Sequence, residues 1–235
     1  PARRTVEGEY GTLMHEMLRR LGLERKAGRV LEPALVESTY AAAWAAVTLP
    51  DERRRPALER LGRTQLARFM ASGGLADAPA DVEVSFTTTI DSWRLTGIID
   101  RIEHPPPTLE GGVVGSSLGG SRGADQDGRP VGAWRLVDYK TGSPLPASRL
   151  RRDLQLLLYA LGARDALGLD PVELEIVYLS DGRSVFLTPD EEMLAEARKV
   201  VGEVAAAVAA GRFEARPERR RCRLCSYRLL CADAL

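Results

Sequence analysis

The spacing of apolar residues predicts three helices in the first part of the chain. Between residues 9 and 22, apolar side chains recur every three or four positions, so they lie on one face of a helix. These residues are Leu13, Met14, Met17, Leu18 and Leu21. The same spacing predicts two more helices, over residues 33–48 and 50–72.

The period then changes to that of strands. Residues 81–90 and 93–102 are rich in β-branched side chains, alternate between apolar and polar positions and are joined by a two-residue turn, which predicts a hairpin. Three further strands are predicted over residues 133–140, 172–180 and 183–188. The strands together predict a sheet at the centre of the fold.

Further helices are predicted over residues 146–166 and 189–211, between and after the later strands. This element order predicts an α/β fold with a mixed central sheet flanked by helices. The stretch 104–133 is rich in Pro, Gly and Ser and is predicted to be a flexible insertion between two strands of one sheet. We therefore expect a single domain over residues 1–235, ending in a cysteine-rich tail at 216–235.

The composition is that of an ordinary globular protein. The 235 residues are 44% hydrophobic and 28% charged, and 33 Lys and Arg balance 33 Asp and Glu. No run of about 18 apolar residues is present, so no membrane partner is expected. The first residues lack the apolar core of a secretory signal, which favours a cytoplasmic protein. They also enter a helical pattern almost at once, which favours a fragment of a longer chain.

The stretch RLVDYKTG places a carboxylate and an ammonium two residues apart near the end of a strand. Asp138 and Lys140 therefore share one face, and Tyr139 points to the other. Asp100 interrupts an apolar run in the preceding strand. Two buried carboxylates repel unless a cation lies between them, and oxygen ligands favour Mg²⁺ or Mn²⁺. Lys140 would then contact a phosphate or an attacking water; the alternative is an Asp138–Lys140 salt bridge at a sheet edge.

Two helices carry further polar candidates at a spacing of four residues. Gly11 and His15 share a helix face, where His15 offers a ring nitrogen, although a lone histidine is often structural. Gln155 and Tyr159 share a face of another helix and could clamp a phosphate or a base. The alternative for this second pair is a helix surface in contact with water.

The tail carries all three cysteines, in the pattern C-x2-C-x5-C: Cys222, Cys225 and Cys231. An odd number excludes a closed set of disulfides. Thiolates at this spacing suit zinc or an iron–sulfur cluster, and both usually need four ligands. Three reduced thiols that pack the tail are the alternative. No P-loop is present, so this chain has no nucleotide-driven motor of its own.

Four short motifs, GTLMH, GIID, DYK and QLLLY, occur in this order over residues 11–159. In this combination the chain resembles the RecB-like branch of the PD-(D/E)XK nuclease superfamily. That branch includes the nuclease domains of the bacterial helicase–nucleases RecB, AddA and AddB, and the CRISPR adaptation nuclease. The resemblance implies a restriction-endonuclease-like core and metal-dependent hydrolysis of DNA phosphodiester bonds.

The resemblance also implies a role for each matching position. The catalytic residues would be Asp100, Asp138 and Lys140. The ligands of Mg²⁺ or Mn²⁺ would be His15, Asp100, Asp138 and the backbone carbonyl of Tyr139. The residues that support the active site and the DNA strand would be Gln155 and Tyr159.

AddB and the CRISPR adaptation nuclease have a similar cysteine tail, which implies a [4Fe–4S] cluster held by Cys222, Cys225 and Cys231. In those proteins the fourth cysteine lies upstream of the first motif, and residues 1–10 contain none. We therefore expect the fourth ligand outside the chain shown. The cluster would have a structural role, holding the tail against the N-terminal region.

The expected function is a single-strand DNA exonuclease that works with a helicase domain or subunit in recombination and repair. One alternative is a CRISPR adaptation nuclease that trims DNA ends. A second is a catalytically silent module of the same fold that binds DNA or holds an iron–sulfur cluster. A third is a metal-free structural domain whose carboxylates pair with arginines.

Overall fold

The central sheet contains five strands that lie side by side in chain order. The computed structural model describes residues 5–104, 133–144 and 146–235. The strands are β1 (Asp81–Ile90), β2 (Trp93–Glu103), β3 (Ala133–Lys140), β4 (Asp170–Tyr178) and β5 (Arg183–Leu187). The β3–β4 pair is parallel and the other neighbours are antiparallel, so the sheet is mixed, as predicted.

Helices lie on both faces of this sheet. They are α1 (Val6–Lys26), α2 (Pro33–Ala46), α3 (Arg55–Ala71), α4 (Ala147–Leu150), α5 (Leu154–Leu167), α6 (Glu191–Ala209) and α7 (Arg219–Leu224). The prediction of one helix over 146–166 is wrong, because the chain turns between α4 and α5. Asp153 caps the new helix there by accepting a hydrogen bond from the backbone N–H of Leu156. Similarly, the predicted helix 50–72 opens with a 3₁₀ turn at Glu52–Arg54.

The two faces of β3 contribute to different hydrophobic cores. Val137 and Tyr139 pack with α1, α2 and α3. Leu136 packs on the other face, with α5 and α6. Because side chains alternate along a strand, Asp138 and Lys140 share the face of Leu136 and lie towards α5. The predicted separation of Tyr139 from the acid and the lysine is confirmed.

Phe86 determines how closely α5 approaches the sheet. Its ring lies between Gly97 of β2 and Gly162 of α5, where an added Cβ would come within 2.5 Å and 2.3 Å of ring carbons. The edge of the same ring meets the Tyr159 ring, with 6.4 Å between centroids. Glycine at both positions therefore lets α5 press against the hairpin, which fixes the helix that carries Gln155 and Tyr159.

The predicted insertion at 104–133 separates two strands that pair directly, since Arg101, Ile102 and Glu103 of β2 lie opposite Val137, Leu136 and Arg135 of β3. Residues 105–132 themselves lie outside the described residues. A single domain over the whole chain stays a prediction. None of the helices in the described ranges has the length and hydrophobicity needed to cross a membrane.

Candidate active site

Asp100 lies where the pairing between β2 and β3 ends. The last pair at this end of the ladder is Arg101 with Val137, so Asp100 and Asp138 follow it directly. Asp100 Oδ2 accepts a hydrogen bond of 2.9 Å from the backbone N–H of Tyr139, a role that strand carbonyls fill elsewhere in the sheet. The carboxylate of Asp100 is thereby held against β3.

Asp138 is the most deeply buried charged group of the site. Its side chain is 1% exposed, and its Oδ2 lies 2.7 Å from Lys140 Nζ. Even so, neither carboxylate oxygen accepts a well-aligned hydrogen bond from the described residues. Burial raises the pKa of Asp138 to about 6, because Lys140 offsets only part of the desolvation and the charge of Asp100 adds to it. A buried carboxylate in this state requires a further cation or a proton.

His15 approaches the same carboxylates from α1. Its Nδ1 lies 3.3 Å from Asp100 Oδ2, and its ring meets the Tyr139 ring edge-on, with 6.1 Å between centroids. Burial lowers the pKa of His15, but the hydrogen bond to Asp100 and the charges of Asp100 and Asp138 outweigh it, so the pKa is raised. The structure thus brings His15 to the predicted site.

Lys140 is held by a chain of side chains that begins on α5. Lys140 Nζ donates to Gln155 Oε1 at 2.6 Å, and Gln155 Nε2 donates to the Tyr159 hydroxyl at 2.7 Å. Tyr159 is buried, and desolvation raises the pKa of its hydroxyl. The alternative in which both residues lie at the helix surface in contact with water is therefore wrong for Tyr159, whereas Gln155 is exposed and bonded to Lys140 at the same time. The Asp138–Lys140 ion pair does exist, but β3 is the central strand of the sheet rather than an edge.

The predicted metal ligands fit a divalent cation in their chemistry. Across the described part of the chain, no three or more His, Cys, Asp or Glu side chains are gathered tightly enough to form a ready-made metal group. The unsatisfied oxygens of Asp138, beside Asp100, are nevertheless the hard donors that Mg²⁺ and Mn²⁺ prefer. The contact of 3.3 Å between His15 and Asp100 is also close to the separation of about 3 Å expected for neighbouring ligands of an octahedral ion.

The cysteines do not form a ligand set in the structure. Cys222 is buried, Cys225 is exposed and Cys231 is half-buried, and all three are free thiols. Within residues 5–104, 133–144 and 146–235, none of them joins a group that could hold a metal. The described residues therefore do not support the predicted [4Fe–4S] cluster. The spacing C-x2-C-x5-C is compatible with a cluster only if the backbone folds the three thiols together, and here it does not.

A second group of charged residues on the same strands was missed by the sequence analysis. This arginine–glutamate cluster consists of Arg101, Glu103, Arg135, Glu173 and Glu175. Arg135 contacts all three carboxylates, and Arg101 Nε lies 3.4 Å from Glu103 Oε2. The Arg101 guanidinium also lies 5.5 Å from the centre of the Tyr139 ring. The signal was present in the sequence, because charges occupy alternate positions in strands that are otherwise apolar.

Glu83 is another residue near the candidate site that the sequence did not indicate. It lies across from Asp100, between the paired positions Val82–Arg101 and Val84–Ile99, and its φ of 48° is unusual for a residue with a side chain. Together with α1 residues that include His15, it lines a cleft of about 380 Å³. No sequence pattern marks this position, because the irregular backbone appears only in the folded strand.

Residues 1–113 and 125–232 match the family model of the PD-(D/E)XK nuclease superfamily. No curated protein matches the chain.

Two solved structures are similar in fold. A candidate exonuclease from Eubacterium rectale is 13% identical with a TM-score of 0.49, and the alignment covers 98% of this chain and 76% of that one. The protein SSO0001 is 13% identical with a TM-score of 0.40, and the alignment covers 95% and 86% of the two chains.

Proposed function

Because the chain belongs to the PD-(D/E)XK nuclease superfamily, we propose that it is a metal-dependent nuclease that hydrolyses DNA phosphodiester bonds at Asp100, Asp138 and Lys140. The observation that carries this proposal is the buried carboxylate of Asp138. It lies beside a second acid and 2.7 Å from a lysine, yet neither of its oxygens accepts an aligned hydrogen bond from a described residue. The RecB-like branch, predicted from four motifs, lies within this superfamily.

Asp100 and Asp138 would hold a divalent ion, Mg²⁺ or Mn²⁺, with His15 and the Tyr139 carbonyl as further ligands. When bound, such an ion supplies Lewis acidity and lowers the pKa of a bound water. The contribution of the chain is to hold both carboxylates in place. The backbone N–H of Tyr139 does this for Asp100, and Lys140 does it for Asp138.

Lys140 would bind an oxygen of the scissile phosphate or the attacking water. Its ammonium stabilises the negative charge that develops as the phosphate is attacked. Gln155 Oε1 accepts one of the lysine protons and so restricts where the ammonium can point. Tyr159 in turn orients Gln155, which makes Gln155 and Tyr159 positioning residues for Lys140.

The finer proposal is a cytoplasmic exonuclease on single strands that acts with a helicase in recombination and repair, within one domain. It is supported by the resemblance of the four motifs to the RecB-like branch. The CRISPR adaptation nuclease remains the alternative with the same chemistry. The proposal includes no iron–sulfur cluster.

The test is a nuclease assay on single-stranded DNA labelled at either end, with Mg²⁺, Mn²⁺ or EDTA. We expect metal-dependent hydrolysis that is lost in Lys140→Ala and in Asp138→Ala, because these variants remove the ammonium and an ion-holding carboxylate. The label released first reports the direction of digestion. A circular single strand, which has no ends, distinguishes an exonuclease from an endonuclease.

The matched control is Glu37→Gln, which removes an exposed carboxylate paired with Arg63. We expect this control to keep full activity. Circular dichroism checks that every variant is folded. If the folded wild-type protein with either metal cleaves no DNA, the nuclease proposal is wrong and the chain is a silent copy of the fold.

A further inference from the structure

Arginines in the helical layer of α1, α2 and α3 are largely neutralised by neighbouring carboxylates. The pairs are Arg19 and Arg20 with Glu16, Arg53 with Asp51, Arg54 with Glu7, Arg55 with Glu52, and Arg63 with Glu37. Their nitrogen–oxygen distances lie between 2.6 and 2.9 Å. This layer therefore offers little free positive charge to a polyanion.

The segment of residues 212–228, here called the arginine arm, is different. It contains seven arginines and two glutamates, an excess of five positive charges. Because the whole chain is balanced at 33 to 33, the remaining residues carry an excess of five negative charges. Within the described residues, Arg221 is the one arginine of the arm with a carboxylate partner, Glu218, at 2.8 Å. The others are Arg212, Arg216, Arg219, Arg220, Arg223 and Arg228, all exposed.

The arginine arm also exposes large apolar side chains. Phe213 is 75% exposed and Tyr227 is 69% exposed, although aromatic rings usually find cover in a folded protein. Leu229, directly after the arm, is 97% exposed. An exposed ring among unpaired arginines is the combination that binds single-stranded nucleic acids, because the arginines contact phosphates while bases stack on the ring.

We propose that the arginine arm binds single-stranded nucleic acid, with its unpaired arginines on the phosphates and Phe213 and Tyr227 stacked on bases. The proposal rests on the proposed function, since the bound strand is the substrate of that enzyme. Stacking requires unpaired bases, so the arm favours single strands over duplexes. The rest of the chain is net negative, so the arm concentrates positive charge that the remainder of the chain does not have in excess.

The test measures binding of the 235-residue chain to a fluorescent dT20 strand by anisotropy, in EDTA so that no cleavage occurs. We expect Arg219→Ala/Arg220→Ala/Arg223→Ala to weaken binding at least about tenfold. It should also reduce the slope of log K against log salt by about 2, because three phosphate contacts are lost. The matched control is Arg53→Ala/Arg54→Ala/Arg63→Ala, which removes the same charge from paired arginines and should change binding less than about twofold.

The aromatic side chains are tested separately with Phe213→Ala/Tyr227→Ala. We expect this variant to bind dT20 about tenfold more weakly and to bind a duplex of the same length as the wild type does, because paired bases are not available for stacking. Equal losses of dT20 affinity in the triple-arginine variant of the arm and in its matched control would overturn the proposal. So would binding to an acidic peptide or to anionic lipid vesicles that is as tight as binding to dT20.

The experiments distinguish a failure of the arm proposal from a failure of the proposed function. If the wild type cleaves no DNA but the arm variants lose strand binding, the proposed function is wrong and the arm proposal stands. If the wild type cleaves DNA and the arm variants bind dT20 normally, the arm proposal is wrong and the proposed function stands.

Discussion

Two groups of buried charges lie on the same strands, and they are built differently. In the arginine–glutamate cluster, each of the three carboxylates lies near a guanidinium, which keeps its charge at any ordinary pH. Even there, Glu175 Oε2 and two nitrogens of Arg101 lack an aligned hydrogen bond among the described residues, so the contrast with the active site lies in the kind of cation. At the candidate active site, Asp138 has one lysine beside it and two oxygens without an aligned hydrogen bond. Permanent partners suit a structural role. Carboxylates that lack them retain the capacity to bind a cation and a substrate.

The largest expected effect comes from removing one buried carboxylate from each group. Asp138→Asn keeps the shape of the side chain but removes its charge, so we expect nuclease activity to fall by about 10³-fold or more, the scale of losing essential electrostatic stabilisation. Glu175→Gln is the matched change in the other cluster and should alter kcat/KM less than about threefold. Similar losses in both variants would contradict the division into a catalytic and a structural group.

The next largest effect should be on stability. Arg101→Met removes a guanidinium that is 6% exposed in its side chain and leaves the half-buried Glu103 with one partner fewer. We expect the free energy of unfolding to fall by about 3 kcal/mol, the usual scale for breaking a buried ion pair. At pH 5, Lys140→Met should cost less, on the order of 1 kcal/mol, because Lys140 is 34% exposed and Asp138, with a pKa of about 6, takes up a proton in its place. Urea unfolding of both variants checks the order, and a larger loss for Lys140→Met would reverse the comparison.

A smaller effect should appear in the pH dependence of the metal-free protein. The pKa of Asp138 is about 6, above its ordinary value of 3.8, so the folded state binds this proton more tightly than the unfolded state does. Asp138 therefore lowers stability as pH rises from about 4 to 6. In EDTA at pH 8 we expect Asp138→Asn to be more stable than the wild type by on the order of 1–3 kcal/mol. The difference should vanish near pH 3.

Thermal unfolding across this pH range, with and without Mg²⁺, measures the effect. Carboxylates whose pKa is lowered, such as Glu16 beside its arginines, stabilise the fold at higher pH and act in the opposite direction. For that reason the difference between variant and wild type is the informative quantity. Added Mg²⁺ should stabilise the wild type and not Asp138→Asn. A variant less stable than the wild type at pH 8 in EDTA would show that Asp138 is already satisfied.

The smallest effect is expected at Tyr159, which is the residue furthest from the site in the chain of hydrogen bonds that runs from Lys140 through Gln155. Tyr159→Phe removes the hydroxyl that accepts from Gln155 Nε2 but keeps the ring against Phe86. We expect activity to fall about tenfold, the lower end of the range for residues that orient a functional group indirectly. Because Lys140 loses orientation and keeps its charge, kcat should change more than KM. An unchanged rate would show that Gln155 holds Lys140 without help.

Part of the site could be predicted because it depends on regular elements. The two-residue period of a strand places Asp138 and Lys140 on one face, and the four-residue spacing of a helix places Gln155 and Tyr159 together; the structure has both arrangements. Asp100 stood out because a carboxylate in an apolar strand requires a partner. Helix boundaries were less predictable, as the turn between α4 and α5 shows, because the cap at Asp153 competes with the apolar pattern.

The sequence by itself determined the five strands, most of the helices, the mixed α/β class and the residues that share a face, because each depends on side-chain periodicity within one element. The tertiary structure decided which faces meet. It joined Lys140 to Gln155 across fifteen residues of chain and His15 to Asp100 from a different layer. Among the described residues, it also left the three cysteines apart and most arginines of the arm without a carboxylate partner. Contacts of this kind depend on the packing of elements distant in the chain, which no local pattern encodes.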